Sequence, residues 1–177
     1  MVLTLRPIRL TDWPRIHEWA SRPEASRFQP WGPNTAEETK AFAAGAVQAW
    51  EATPLLRRTY VAEARTDGVV GLGELTVRSD RWQRAEISYA VHTAYWGQGL
   101  AGRLAERLCA IAFGELDMHR VEATCDPRNT ASARVLLRLG MMREGTLRHM
   151  MKLTDGWRDS DIYSLLRPDW ESRRADN

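Results

Sequence analysis

Lysine is nearly missing from this chain: Lys40 and Lys152 are the two it has, and arginine supplies the rest of the positive charge. Acidic residues all but cancel that charge, leaving a formal +2. So even a balance excludes the broad basic field of a nucleic-acid binder and the polybasic patch of a membrane-surface anchor. Cysteine is equally scarce, and Cys109 and Cys125 do not make a disulfide framework or a cysteine metal site. His17, His92, His119 and His149 share no metal-ligand spacing, so no metal is expected. No apolar run approaches the length of a membrane span, and the N-terminus lacks the long apolar core of a secretion signal. The expected location is therefore cytoplasmic. Gly-Lys-Ser/Thr does not occur, which removes the P-loop nucleotidases. A chain of 177 residues is long enough to bury a real core, and a single domain over 1–177 is expected.

What is present is concentrated between Glu86 and Gly114. Ile87, Tyr89 and Val91 alternate with Glu86, Ser88 and Ala90, the period of a half-buried strand ending at Val91. Leu100, Leu104, Leu108 and Ile111 then recur at helical spacing, with Arg103, Glu106 and Arg107 on or beside the outer face. Between them lies His92-Thr93-Ala94-Tyr95-Trp96-Gly97-Gln98-Gly99-Leu100-Ala101-Gly102. The strand thus delivers a loop of small residues onto a helix N-terminus, whose first N–H groups lack acceptors and whose dipole favours negative charge. Glycines at 97, 99 and 102 keep side chains from holding a phosphate away from that backbone. The pattern predicts a pyrophosphate cradle.

Taken in order, Leu3–Leu10 reads as a strand that Pro7 places at a sheet edge. Thr11 is expected to cap a short helix bearing Ile16, Trp19 and Ala20, and Pro23–Pro33 reads as a loop. Thr35 and Glu38 form a capping box that opens a helix with Phe42, Ala46, Ala49 and Trp50 on one side. Strands over 59–64 and 69–77 flank Thr66-Asp67-Gly68, and a third runs from Arg84 to Val91. After the central helix come a strand over 119–125, the turn Asp126-Pro127-Arg128-Asn129-Thr130, and a helix over 131–139 that Gly140 stops. Ala131, Val135, Leu136 and Leu139 are expected to face inward. Met141–Leu153 and Trp157–Leu166 pair across Thr154-Asp155-Gly156, and the polar tail 168–177 is expected to fray. The order β-α-α-β-β-β-α-β-α-β-β predicts an α/β fold: one mixed, largely antiparallel sheet covered by helices.

Two readings compete for the loop. Gly97-Gln98-Gly99-Leu100-Ala101-Gly102 matches G-x-G-x-x-G, and Asp126 lies at about the distance of a ribose-binding acid, which would suit an NAD(P)-dependent oxidoreductase. Context argues against it: five residues separate Val91 from Gly97, the strand alternates, and it arrives from an antiparallel hairpin. The second reading is a resemblance. Trp96-Gly97-Gln98-Gly99-Leu100-Ala101 is similar to the Gln/Arg-x-x-Gly-x-Gly/Ala loop of the GNAT N-acetyltransferases, with Trp96 where Gln or Arg is usual. Asn129-Thr130-Ala131-Ser132-Ala133-Arg134, Leu139-Gly140-Met141, Glu144-Gly145-Thr146-Leu147-Arg148 and Asp155-Gly156-Trp157-Arg158-Asp159 resemble the RimJ/RimL-like branch, and the likeness extends over nearly the whole chain.

That resemblance implies an enzyme transferring an acetyl group from acetyl-CoA, as co-substrate, to a primary amine. The acceptor would be a protein N-terminal α-amine or a small amine such as an aminoglycoside or polyamine; a silent acyl-CoA-binding module is the remoter alternative. It implies that the amides of Trp96, Gly97, Gln98, Gly99, Leu100, Ala101 and Gly102 grip the pyrophosphate, and that Val91 pairs with the pantetheine arm. The N–H of Val91 or His92 would face the thioester carbonyl. Glu86 is the first candidate for the amine's proton, with Glu74 second, although the Glu86 side of the strand could equally be a solvated face. The tyrosine that many members carry seven residues beyond the turn asparagine is here Leu136, so the resemblance shifts the thiol donor to Ser132, which could instead only start a helix. Asn129 would hold pantetheine or serve as a turn residue. Homodimerisation is left open.

Overall fold

The computed structural model describes residues 3–153 and 156–175. Among these, seven strands form one sheet: β1 (Leu3–Pro7), β2 (Arg57–Ala64), β3 (Gly68–Ser79), β4 (Arg84–Val91), β5 (Arg120–Cys125), β6 (Met142–Leu153) and β7 (Gly156–Leu166). Their order is β1-β2-β3-β4-β5-β7-β6, antiparallel at every step except β4–β5. The helices are α1 (Trp13–Ala20), α2 (Pro23–Ser26), α3 (Ala36–Ala49), α4 (Leu100–Gly114), α5 (Thr130–Leu139) and α6 (Arg167–Ala175). The mixed α/β architecture agrees with the expectation, as does the edge position of β1. The Thr154-Asp155 turn lies outside the described residues. No helix among those described is long and apolar enough to cross a membrane.

Alternation along the central strands divides two cores. Tyr60, Ala62, Val70, Leu75 and Ile87 join Leu104 and Leu108 of α4 on one face, and Val61 and Val69 join Trp19 of α1 and Ala43 and Ala46 of α3 on the other. Thr35 caps α3 as expected, accepting from the Glu38 N–H at 3.1 Å while the Glu38 carboxylate takes the Thr35 N–H at 2.8 Å.

Four expectations are corrected. Within the stretch read as a loop, Pro23–Ser26 forms the short helix α2, with Pro23 in its first turn. Thr11 is not a cap: it lies in a 3₁₀ turn, Leu10–Asp12, and the Asp12 carboxylate is bound by Arg6 at 2.8 Å and by the Arg9 N–H at 2.7 Å. Ala131 is exposed, because five positions before Leu136 is roughly 140° around a helix. The tail does not fray over 168–175: α6 buries Trp170 in a stack on Phe113, ring centroids 5.5 Å apart, and Arg173 donates to the Arg138 carbonyl at 2.9 Å.

An ion network ties β4, β5 and β6 together. Glu122 receives Arg84 at 3.0 Å and Arg120 at 2.6 Å, while Arg120 also reaches Glu144 at 2.7 Å and the Ser164 hydroxyl donates to Glu144 at 2.7 Å. Arg120, then Ser164, hold the Glu144 carboxyl down from the ordinary 4.5 to about 2. A depressed carboxyl stabilises the fold above its ordinary pKa, and that contribution disappears as pH falls through the folded value. Stability should therefore decline between about pH 4.5 and 2, and Glu144→Gln should flatten that part of the curve in urea titrations at stepped pH.

Candidate active site

β4 ends at Val91 and passes through a 3₁₀ turn, Thr93–Tyr95, into the glycine loop. His92 caps that turn: its Nδ1 accepts the Ala94 N–H at 3.0 Å, and its ring meets Tyr95 edge-on at 5.4 Å. Burial, then nearby Arg22 and Arg15, lowers its pKa and favours the neutral ring this cap needs. The His92 main-chain N–H donates to the Val70 carbonyl at 2.9 Å. Of the two amides expected to face a thioester, His92's is therefore engaged within the sheet. Ladder alternation turns the N–H of Val91 the other way, towards β5. The Val91 carbonyl accepts the Trp96 indole N–H at 2.9 Å, so Trp96 ties the loop back to the strand end.

Gly97 and Gly99 have φ of 76° and 73°, where only glycine is at ease. Gly99 is the N-cap of α4, which has no side-chain cap and no acid in its first turn. A Cβ on Gly97, Gly99 or Gly102 would meet nothing within 4 Å, so the loop's outer surface is open and its first helical amides lack a side-chain acceptor. Leu100 is buried, so it offers a ligand only its N–H. Arg103 braces the loop by donating to the Gln98 carbonyl at 3.0 Å. Uncapped amides, small residues and a helix dipole together fit a diphosphate.

Next to this cradle the sheet opens. β4 and β5 pair only over Arg84↔Arg120, Ala85↔Val121 and Glu86↔Glu122, then separate. A cavity of about 1030 Å³ occupies the gap, lined by Tyr89, Cys125, Asn129 and Ser132 on the α5 side and by Glu74 and Glu86 elsewhere. Asn129 caps α5, its Oδ1 accepting the Ser132 N–H at 3.1 Å, which leaves its amide N–H groups available to a ligand. Ser132 Oγ lies 3.0 Å from the Tyr89 hydroxyl. Burial pushes the Tyr89 phenol up to about 12 and the neighbouring Cys125 thiol up to about 11, so both stay protonated. Leu136 is buried behind them and offers no hydroxyl.

Both candidate carboxylates reach the cavity, and each has a guanidinium partner. Glu86 holds Arg78 at 2.6 Å, and Glu74 holds Arg57 at 2.6 Å and the Thr59 hydroxyl at 3.1 Å. Asp126 is buried with Arg128 as its partner. The residues missed by sequence reasoning are Tyr89, Arg57 and Arg78. Strand alternation put Tyr89 towards the core, correctly, but its hydroxyl partner comes from a helix some forty residues on. Arg78 stands two positions past Thr76, the register partner of Glu86, a diagonal that the β3–β4 hairpin register would have disclosed.

Open main-chain amides at a helix N-terminus, beside a parallel strand pair that parts, are what a coenzyme-A-dependent acyltransferase would need for its diphosphate and its arm. Residues 2–142 match the family described as acetyltransferase (GNAT) domain, and the chain belongs to that family. It is an acetyl-CoA-dependent N-acetyltransferase, which disposes of the oxidoreductase reading of the loop. The uncharacterized N-acetyltransferase YnaD of Bacillus subtilis (strain 168) is 28% identical over 95% of this chain and 95% of its own. Two solved structures share the fold. RimL, a ribosomal L7/L12 alpha-N-protein acetyltransferase in complex with coenzyme A, superposes with a TM-score of 0.84 at 20% identity, covering 96% of each chain. The spermidine N-acetyltransferase from Vibrio cholerae, in complex with CoA and spermine, gives 0.82 at 19% identity, covering 96% of this chain and 98% of that one.

Proposed function

We propose that the chain acetylates the α-amine of a protein or peptide N-terminus, as a RimJ/RimL-like enzyme. The observation that carries this is charge neutralisation in the cavity. Glu74, Glu86 and Asp126 are each matched by an arginine, and Glu38 is engaged by its own helix cap. A polyamine carries several cations and needs unmatched carboxylates; a chain end brings one amine. Chemistry points the same way: near pH 7 an α-amine of pKa about 8 has a neutral fraction ~200-fold larger than an alkyl amine near 10.4, so a modest base suffices.

The amides of Gly97 to Gly102 hold the diphosphate, the Asn129 amide meets the pantetheine arm, and the Val91 N–H faces the charge growing on the thioester oxygen. Glu86 takes the amine's proton through a water as the new N–C bond forms and the C–S bond breaks. Ser132 Oγ donates a hydrogen bond to the departing thiolate. In a thiol-release assay with saturating acetyl-CoA, kcat/KM for a short peptide with a free α-amine should exceed that for spermidine by about tenfold or more. Spermidine or an aminoglycoside as the better acceptor would transfer the assignment to the small-amine enzymes.

A further inference from the structure

The reaction as proposed asks Ser132 for a proton aimed at sulfur, and a serine hydroxyl in a first helical turn has other uses for it. A hydroxyl donates once and accepts twice, and its rotor goes where its neighbours send it. Near Ser132 the choices are few. Its N–H is fixed by Asn129 Oδ1 at 3.1 Å, which holds the Cβ in place, and its Oγ lies 3.0 Å from the Tyr89 hydroxyl. Cys125 forms a further side-chain contact with it. Tyr89 is itself fixed, on a strand whose ladder with β3 continues to Gly71↔Val91 after pairing with β5 has ended. The phenol thus reaches across the open part of the sheet to the one helix turn expected to serve the leaving group.

We propose that Tyr89 is a positioning residue for acetyl transfer: its O–H donates to Ser132 Oγ, filling an acceptor site and turning the Ser132 proton into the cavity towards the thiolate. Intrinsic acidity favours this direction: a phenol is a better donor and a poorer acceptor than an aliphatic hydroxyl, and burial keeps its proton in place. The arrangement supplies a tyrosine to the thiol end of the site from β4, where Leu136 on α5 supplies none. No net proton leaves Tyr89; it orders a hydrogen bond that Ser132 makes. The inference rests on the proposed role of Ser132, and the test separates the two.

The experiment is a double-mutant cycle with Tyr89→Phe, Ser132→Ala and the double variant in the full chain, reading kcat and the KM for acetyl-CoA. Tyr89→Phe keeps the ring and removes one hydrogen bond, so kcat should fall roughly fivefold to tenfold with KM for acetyl-CoA and Tm little changed. In the Ser132→Ala background the same change should have no further effect. Ser132→Thr, which keeps a hydroxyl, should retain most activity and lose it again on Tyr89→Phe. An equal drop with and without Ser132, or a raised KM at constant kcat, would overturn the positioning role. If Ser132→Ala cripples turnover and Tyr89→Phe does not, the inference fails and the Ser132 reading stands. Full turnover by Ser132→Ala would remove both.

Discussion

Gly102→Asp should abolish acetyl-CoA binding while leaving the protein as stable as before, or slightly more so. Gly102 is the third residue of α4, where an acid is welcome: it faces the positive end of the dipole, and aspartate is a better helix residue than glycine. The Cβ would meet no protein atom within 4 Å, so packing does not object either. The same carboxylate, however, would occupy and neutralise the amide cluster meant for a diphosphate. Hydrogen bonds to charged groups contribute about 1.5–3 kcal/mol each, so losing two of them should weaken binding by ~100-fold or more, before like-charge repulsion is counted. Calorimetry with acetyl-CoA beside a thermal melt gives both halves of the result. Unaltered binding would show that the anion lies elsewhere; a drop in Tm would show that Gly102 serves packing.

The second large effect is on stability. Leu104 is fully buried, and its Cδ1 lies 2.8 Å from where a Cβ on Gly73 would stand, so helix α4 meets β3 over bare backbone at this point. Gly73 has no side chain to move into the vacated space, and its backbone is held between β2 and β4. Leu104→Ala should therefore cost about 3–5 kcal/mol, the upper part of the range for such truncations. Urea unfolding should show a lower midpoint at unchanged slope. A loss near 1 kcal/mol would mean that Leu108 and α4 relax into the gap.

These expectations depend on features of unequal legibility. The bounds of β4, Arg84–Val91, and the start and end of α4 at Leu100 and Gly114 could be read directly, since alternation, glycines and an amphipathic period are local signals. So could the Thr35 capping box and the stop at Gly140, whose φ is 93°. Helix α6 was hidden because its residues are mostly polar and its one large apolar side chain, Trp170, has its partner Phe113 far away in sequence. The insertion of β7 between β5 and β6 was hidden for a similar reason: hairpin neighbours are evident, but which of them meets β5 depends on the whole sheet. At the site, the loop was legible and the hydrogen bonds were not. That His92 gives its N–H to Val70 is a matter of β3–β4 register, and that Tyr89 meets Ser132 follows from strands that pair for three positions and then part.

One border of the sheet carries a consequence of its own. β6 is twelve residues long and, among the described residues, has a neighbour on one side only, the kind of rim onto which another polypeptide could stitch itself. Its pairing slips twice, between Arg143 and Gly145 and between Leu147 and Met151, so the outward amides never present a long regular row. Arg148 and Lys152 add positive charge along it. Such irregularities disfavour fibrous growth through that rim, and deleting residues from 148–150 should remove the second of them and leave only the slip at Arg143/Gly145 to interrupt the row.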